Sequence, residues 1–458
     1  MKKLFSLASL FLFVFVLTGC TNENEVSELQ QEIEAKTILI SELEDEIQEL
    51  IFSSQANFES VEDLTALLEE LENENAELQA LIYDNVLTFT FTDEHGMFAS
   101  KTIGYNDDFT GSLFDILDQN FEVGYTDSEW GKFIYSLDNL HPKTGAYIAF
   151  SKNGEMSTVG VDVVTFEDED VFSFEVMWWD MTQKAVDDAI QLFLLNYASE
   201  YVNNESVDYN VLSALALLGL EDSYIGTVEV ETLVNNRTLT TVNDYFKAII
   251  ELESVGLHAG DLMNELNEIV SVGPYGQTAY GLLAFDCSYR PVDYSNYVSS
   301  ALADLLTTTP YDSGLDAGGI SLVALSKYTD ETGIQGLIDQ YTTWISTSQL
   351  DTGGVKTRDI TWGETTYPGT ENAASISQVI LGLIANGIDP TGLNYTKTNN
   401  NLITRLLEYQ TDSGSFDWAF GDEYTEDLAF STPQAFLALV VYQTYANTYE
   451  AVNPYDFN

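Results

Sequence analysis

The chain has 458 residues, with 74 Asp plus Glu against 16 Lys plus Arg, which gives a formal net charge of −58 and a pI of about 4.1. So acidic a surface repels nucleic acid and anionic lipid, and both are poor partners. The length is enough for two or three domains with hydrophobic cores.

The first residues predict a lipoprotein signal peptide, residues 1–19. Lys2 and Lys3 precede the apolar run Leu10–Leu17, and the stretch ends in Leu-Thr-Gly before Cys20. A basic start, a short apolar core and small residues at the cut are typical of a secretory signal. The ending resembles the bacterial lipoprotein signal, in which the cysteine is lipidated. The resemblance implies a mature chain anchored in the lipid bilayer through Cys20, on the outer face of the cell membrane.

Residues 20–84 predict a coiled-coil stalk that follows the lipidated cysteine. Apolar residues keep one heptad register from Val26 to Ile82, a pattern typical of helices that supercoil around a partner. A single helix of this length would reach on the order of 85 Å, could self-associate, and could be removed without harm to the head. The alternative is a helical hairpin that folds back near Ser53-Ser54-Gln55.

Residues 85–180 predict a small β-rich domain. LTFTFTD and VFSFEVMWW alternate apolar and polar residues like half-buried strands, GSLFDILDQNF between them predicts a short helix, and Asn153-Gly154 predicts a hairpin turn. The ordered pieces GSLFDIL, VGYTDSEWGKFIYSL, YIAFSKNG and GVDVVTFEDEDVFSF resemble the C-terminal β domain of transcobalamin and intrinsic factor. Tyr147 and Phe150 stand where that family has an aromatic pair.

Residues 181–458 predict an α/α toroid. An apolar segment recurs in the chain, opening at Gln277, Gln378 and Gln434. It alternates with amphipathic segments, which indicates stacked helical hairpins with a buried inner helix and a half-buried outer one. QLDTG, from Gln349, and QTDSGSF, from Gln410, resemble the Gln-x-x-x-Gly-x-aromatic turn of the terpenoid-cyclase and prenyltransferase toroids.

The expected fold class is a multidomain α plus α+β protein with a coiled-coil helix, a small β-rich domain and an α/α toroid. A toroid beside this β domain is also the pairing of the transcobalamin family, although the animal proteins place the toroid first. The resemblance implies a transcobalamin-like protein that binds cobalamin or a related corrinoid and delivers it to a membrane importer.

A ligand site is predicted at the mouth of the toroid. Parallel inner helices gather their N-termini, with unpaired N–H groups, at one end. Polar and aromatic side chains there suit a ligand rich in amides, and such sites favour domain interfaces, so we expect the ligand between the mouth and the β domain. A helix cap or loop packing is the alternative role for each residue. The candidate ligand-binding residues are Tyr275, Gln277, Asp316, Trp362, Tyr367, Asn372, Gln378, Trp418, Gln434, Tyr147, Trp178 and Trp179.

No catalytic constellation is recognisable in the sequence. His95, His141 and His258 do not fall into a metal-ligand spacing with Cys287, and no Ser nucleophile elbow occurs. We therefore expect neither an enzyme nor a metal site, and a corrinoid would enter as ligand rather than as catalyst. The alternatives are a surface adhesion lipoprotein that binds a protein or glycan, and a toroid polysaccharide lyase.

Overall fold

The computed structural model describes residues 29–40, 43, 58–93, 96, 98–273, 277–288, 293–307, 310–362, 365–398, 400–421 and 426–457. The signal peptide, Cys20 and Tyr275 lie outside these residues. The chain forms two compact units, which are described separately. No helix in the described ranges has the length and hydropathy required to cross a membrane.

The first unit, which includes Asn57–His141 and Ile148–Val176, is built on a five-stranded sheet with the strand order β2-β1-β7-β5-β6. Its strands are β1 (Asn85–Thr92), β2 (Phe98–Tyr105), β5 (Ala146–Lys152), β6 (Glu155–Met156) and β7 (Val171–Trp178). A separate hairpin consists of β3 (Val123–Ser128) and β4 (Gly131–Leu137). The strands predicted from LTFTFTD and VFSFEVMWW are β1 and β7.

Aromatic side chains form the centre of this sheet. β1 and β7 pair in parallel, with Phe89 opposite Phe172 and Phe91 opposite Phe174, and the rings of the two pairs stack at 5.8 and 6.1 Å. Phe121 meets Phe89 and Phe91 edge-on at 5.6 and 5.4 Å. Because side chains alternate along a strand, the pattern of LTFTFTD places both β1 rings on one face.

Two helices precede the sheet and lie against each other. They are the helical segment 29–40 and α1 (Phe58–Ile82). Lys36 forms an ion pair with Glu74, and apolar side chains of both helices are buried together. These two residues are 38 positions apart, which would separate them by about 57 Å along one straight helix. The prediction of a single extended helix is therefore wrong, and the heptads pair within the chain, as in the hairpin alternative.

Helix α1 also runs along the edge strand β2. Glu72 Oε1 accepts the Ser100 N–H at 2.8 Å, and Gln79 Oε1 accepts the Gly104 N–H at 3.2 Å. The two acceptors are seven positions apart and so share one helix face. They satisfy outward-pointing N–H groups that an edge strand would otherwise leave open to another chain. Helix α1 thus packs against the sheet, and the expectation that the helical segment can be removed without harm to the head stays a prediction.

The second unit, which includes Pro142–Tyr147 and Met177–Asn458, is the α/α toroid. Its six inner helices form a closed ring within the described residues, since each contacts the next and the last contacts the first. They are α5 (Tyr209–Leu218), α8 (Val242–Ser254), α10 (Gln277–Asp286), α12 (Pro310–Leu325), α14 (Ala373–Ala385) and α16 (Ser431–Thr448). The predicted toroid of helical hairpins is confirmed.

An outer helix precedes each inner helix in the chain. The outer helices are α3 (Met181–Asn196), α7 (Thr227–Asn235), α9 (Gly260–Ile269), α11 (Ser295–Thr307), α13 (Ile334–Ser348) and α15 (Leu402–Leu407). Shorter helices are α2 (Leu113–Asn120) in the first unit and α4 (Ala198–Tyr201) and α6 (Glu221–Tyr224) in the second, with 3₁₀ turns at Ser326–Tyr328 and Leu393–Tyr395. Short strand pairs in the connections are β8 (Val202–Asn203) with β9 (Ser206–Val207), β10 (Ile360–Trp362) with β11 (Thr365–Tyr367), and β12 (Thr396–Lys397) with β13 (Asn400–Asn401).

Glycines set the distance between α12 and α14. A Cβ on Gly382 would lie 2.6 Å from the Gly319 carbonyl oxygen, and one on Gly319 would collide with the Gln378 carbonyl. The small residue Gly281 of α10 has a different role, because its missing Cβ leaves room for the Tyr297 hydroxyl of the outer helix α11. Two inner helices, α12 and α14, thus approach closely at Gly319 and Gly382. At Gly281 an inner helix approaches an outer helix instead.

The two Gln-x-x-x-Gly turns have a structural role, because their glutamine side chains donate hydrogen bonds to backbone carbonyls. Gln349 Nε2 donates to the carbonyls of Gly353 at 2.7 Å and Tyr395 at 2.6 Å. Gln410 Nε2 donates to the Ala189 carbonyl at 3.1 Å. The glycines of the two turns have φ values of 94° and 96°, a conformation that favours glycine. Each turn thus links the end of one outer helix to a neighbouring segment.

The C-terminal segment 449–457 crosses the ends of the inner helices. The Val452 N–H donates to the Ile384 carbonyl at 3.3 Å, and the Phe457 N–H donates to the Cys287 carbonyl at 2.7 Å. Both acceptors lie at the C-terminal ends of inner helices. The segment therefore covers the end of the ring opposite to the one where these helices begin.

Candidate functional site

The N-terminal ends of α14 and α16 meet at one mouth of the ring, which we call the toroid mouth. Asn372 caps α14, because its Oδ1 accepts the Ser375 N–H at 2.8 Å. The Ala373 N–H donates to the Trp418 carbonyl at 3.0 Å. Asn372 is 1 % exposed, and it therefore acts as a helix cap, the alternative to a ligand-binding role. The Trp418 side chain is half-buried.

A pair of glutamines joins α14 to α16 just inside the mouth. Gln378 Nε2 donates to Gln434 Oε1 at 3.2 Å. Gln378 is 7 % exposed, and its Oε1 has no hydrogen-bond partner among the described residues. Gln434 is half-buried and reaches solvent. Neither glutamine caps its helix, so the recurring Gln of the apolar segments supplies a side-chain pair rather than two caps.

A carboxylate lies at the start of α12, on the next helix around the ring. Gly314 interrupts the helix with φ 77° and ψ 162°, so Asp316 stands in the first turn of the run that follows. Its side chain is exposed to water. Desolvation raises the pKa of Asp316, and the neighbouring Ser375 hydroxyl counteracts part of this shift.

Tyr280 of α10 extends this polar lining to a fourth inner helix. Burial raises the pKa of its phenol, and the charge of Asp316 adds to the shift. Gln277, the predicted residue three positions earlier, is half-buried at the first position of α10. Four successive inner helices therefore present a phenol, a carboxylate and two carboxamides near their N-terminal ends.

The long connection between α13 and α14 carries two predicted aromatic residues. Trp362 stands opposite Thr365 in the β10–β11 pair, and its side chain lies outside the described part of the chain. Tyr367 is 56 % exposed. Arg358, which precedes this pair, has its Cδ 3.9 Å from the position of a Cβ on Gly314, so the connection passes over the start of α12.

An ion pair anchors the base of this connection. Arg405 Nε and Nη2 contact the two carboxylate oxygens of Glu371 at 2.7 and 3.1 Å. The Arg405 guanidinium also lies 4.6 Å from the Phe420 ring centroid. A two-point Arg–carboxylate contact fixes direction as well as distance. Sequence reasoning missed this pair because its members are 34 positions apart.

The structure places Trp179 two positions before α3, away from the toroid mouth, while Tyr147 and Trp178 lie in strands β5 and β7. The Trp179 N–H donates to the Gly145 carbonyl at 2.9 Å, and Tyr147 and Trp179 are 44 % and 68 % exposed. Helix α3, which follows directly, begins beside the C-terminal half of α16, where Gln443 Nε2 donates to an α3 carboxylate at 2.8 Å.

Gln443 is nine positions beyond Gln434, or about 13 Å along the helix. The structure therefore does not bring the Trp178–Trp179 pair to the mouth where the predicted glutamines meet. Within the toroid, the mouth residues and this aromatic group form two separate groups of candidates.

Two further mouth residues were not predicted from the sequence. Ser375 lies one helical turn before Gln378, and Tyr280 lies one turn after Gln277. Both therefore share a helix face with a predicted residue, and this spacing is the signal that could have identified them.

A protein-family model matches part of the first unit. Residues 111–177, which span α2 and β3 to β7, match the model of a family described as "Domain of unknown function (DUF4430)". A solved structure from Ruminococcus gnavus, named "putative metal binding protein", is similar with 19% sequence identity and a TM-score of 0.19. That similarity covers 21% of this chain and 100% of the other, and at this TM-score it carries no argument. No curated protein matches the chain.

The described residues hold no group of three or more His, Cys, Asp or Glu side chains arranged as metal ligands. The mouth therefore offers carboxamide, hydroxyl and carboxyl groups for hydrogen bonding. These groups can donate and accept hydrogen bonds.

Proposed function

We propose that the protein is a cell-surface lipoprotein that binds cobalamin or a related corrinoid at the toroid mouth and delivers it to a membrane importer. The Gln378–Gln434 pair carries this proposal. Gln378 is buried with an unpaired acceptor, and leaving such a group unsatisfied costs about 1–3 kcal/mol. This oxygen is itself buried, so a ligand amide would recover that free energy by donating to it once the Gln378 side chain turns toward the mouth.

Corrinoids fit this chemistry because primary amides project from the edge of a large, nearly flat ring. An amide offers both a donor and an acceptor. The donor would meet Gln378 Oε1, and carbonyl oxygens of the ligand would face the N-terminal ends of α12, α14 and α16, where the helix dipoles favour negative partial charge. The order of sequence pieces within 85–180 that resembles the transcobalamin β domain supports the same ligand.

Binding can be tested with the full chain and cyanocobalamin, followed by equilibrium dialysis and the corrin absorption band. The wild-type protein should retain the ligand. Gln378→Leu should weaken binding at least tenfold, the equivalent of about 1.4 kcal/mol, because the variant lacks both hydrogen-bonding groups. Gln335→Leu is the matched control, since Gln335 is exposed on the outer helix α13.

Gln434→Leu should also weaken binding, and because Gln434 is half-buried it tests the site with less risk to the helix packing. Thermal unfolding of each variant would separate a lost contact from a damaged ring. Wild-type chain that retains no cyanocobalamin, or a folded Gln378→Leu chain that binds it at full strength, would refute the proposal.

A toroid polysaccharide lyase is the second candidate, favoured by Asp316 and Tyr280. A carboxyl group with a raised pKa near a phenol, at an open mouth, could move a proton. Incubation with polysaccharides should then release unsaturated products, and Asp316→Asn should abolish the release.

A further inference from the structure

We propose that the open face of the β3–β4 hairpin is a platform for a β-1,4-linked glycan strand. This site is separate from the toroid mouth and goes beyond the function proposed for it. The platform is defined by Trp130, Phe133 and Tyr135, which are 60 %, 44 % and 61 % exposed. Three large, exposed aromatic side chains within six positions are typical of a binding surface.

The hairpin has one buried face and one open face. Ile134 of β4 is 8 % exposed, whereas its neighbours Phe133 and Tyr135 are exposed. Tyr125 pairs with Ile134 and Gly124 with Ser136, so Tyr135 is the extra residue of a β-bulge. Trp130 stands at the turn that joins β3 to β4. The aromatic residues thus follow the length of the hairpin and favour a long, narrow ligand.

The ring of Tyr135 lies over the backbone of the neighbouring strand. A Cβ on Gly124 would lie 2.5 Å from Tyr135 Cε2 and 2.9 Å from its Cζ. The Ser136 hydroxyl lies closer still to that position, so the missing side chain of Gly124 provides space for both the Ser136 hydroxyl and the Tyr135 ring. A ring supported on one side by backbone and 61 % exposed presents its other face to solvent, in a fixed position.

The hairpin is nearly neutral, whereas the whole chain has a net charge of −58. Its charged residues are Asp127, Glu129 and Lys132. Lys132 Nζ binds Asp127 at 2.9 Å and lies 3.7 Å from the Tyr125 ring centroid. Among the described residues, Glu129 in the turn has no ion pair.

This charge pattern favours an uncharged ligand. Nucleic acid, an anionic membrane and a second copy of the chain are repelled by the surrounding negative charge. A basic protein would be attracted to strongly acidic surfaces, and the hairpin is less acidic than the rest of the chain. An uncharged glycan suits both features, because its sugars stack their C–H faces on aromatic rings and their hydroxyls can bond the Tyr135 hydroxyl and Glu129.

The test measures binding of the full chain to chitohexaose and to cellohexaose by calorimetry. We expect binding of at least one of them, with a dissociation constant no weaker than about 1 mM, and little change when the salt concentration is raised. Trp130→Ala and Tyr135→Ala should each reduce the affinity at least fivefold. Tyr449→Ala, which removes a 73 % exposed ring elsewhere on the chain, should leave it unchanged.

Gly124→Ala tests the platform without removing an aromatic residue. The added methyl group should displace the Tyr135 ring and reduce the affinity at least threefold, with an unchanged near-ultraviolet circular dichroism spectrum elsewhere. Binding to neither oligosaccharide would overturn the proposal. Binding that survives Trp130→Ala and Tyr135→Ala, or that high salt abolishes, would overturn it as well, the latter pointing to a charged partner.

Discussion

Helix α1 should protect the edge of the first unit's sheet, and the double variant Glu72→Ala, Gln79→Ala tests this directly. The two side chains accept the N–H groups of Ser100 and Gly104. A hydrogen bond to a charged acceptor contributes about 1.5–3 kcal/mol, and one to a neutral acceptor about 0.5–1.5 kcal/mol. Alanine is a strong helix former, so α1 should stay helical. We expect a loss of about 2–4 kcal/mol in the local stability of strand β2.

Native-state hydrogen exchange of the Ser100 and Gly104 amides is the appropriate assay, because it reports local opening. Since about 1.4 kcal/mol corresponds to a factor of ten, protection should fall by roughly 30- to 1000-fold. Glu70→Ala, on an exposed position of the same helix, should leave both amides protected. If the double variant exchanges these amides as slowly as the wild type, the edge-protection argument is wrong.

The remaining predictions concern the anchor, a buried charge and the C-terminal segment. Cys20→Ala should move the mature protein from the detergent phase to the aqueous phase in a partitioning assay, and a protein that stays in the detergent phase would contradict the predicted lipid anchor. Glu251 is 2 % exposed, and burial raises its pKa to about 8 despite its contact with Arg237. Because the folded state then holds the proton more tightly than the unfolded state, the free energy of unfolding of the wild type should fall as the pH rises from about 4.5 to 8. The decrease should be up to about 1.4 kcal/mol per pH unit. Glu251→Gln should remove this pH dependence, as measured by urea unfolding. Tyr455→Ala should destabilise the toroid by about 3–5 kcal/mol in thermal or urea unfolding, because this side chain is 1 % exposed, whereas Tyr449→Ala should change stability by less than about 0.5 kcal/mol.

The toroid could be predicted from the sequence because its helices are long and their periodicity is strong. Helix α14 contains an almost continuous apolar run and is buried along nearly its whole length, as an inner helix must be. The amphipathic segments became the outer helices for the same reason. Helix starts were less predictable: Gln277 opens α10, but Gln378 and Gln434 lie inside their helices.

The heptad run shows what periodicity leaves undecided. A repeat of apolar residues states that a helix needs a partner, and it does not state whether the partner lies in the same chain. The structure answers this through polar residues of the seam. Lys36 pairs with Glu74, and Asn75 Nδ2 donates to Thr37 Oγ1 at 3.2 Å. These contacts hold the two helices in one register, which an apolar seam alone would not specify.

The mouth could be predicted only in part, because its contacts join residues that are far apart in the chain. The repeat made Gln378 and Gln434 visible as candidates, but their mutual hydrogen bond spans 56 positions. The proximity of Asp316 to Ser375 and Tyr280 follows from the order of helices around the ring. That order depends on how hairpins stack, which no local pattern contains.

The two ends of the ring differ in a way that bears on function. At the C-terminal end, segment 449–457 supplies N–H donors to carbonyls of the helix ends, so backbone groups there are satisfied by the chain itself. At the mouth, a buried glutamine retains an unpaired oxygen and a carboxyl group has a raised pKa. Native proteins rarely leave buried polar groups unsatisfied, and departures from this rule are concentrated at functional sites. The Gln378 oxygen is one of several buried polar atoms without a hydrogen-bond partner among the described residues, and others, such as Asn386 Oδ1, lie at the C-terminal ends of the helices. A ligand with amide groups on its edge would contribute to the free energy of the folded toroid where it donates to the Gln378 oxygen.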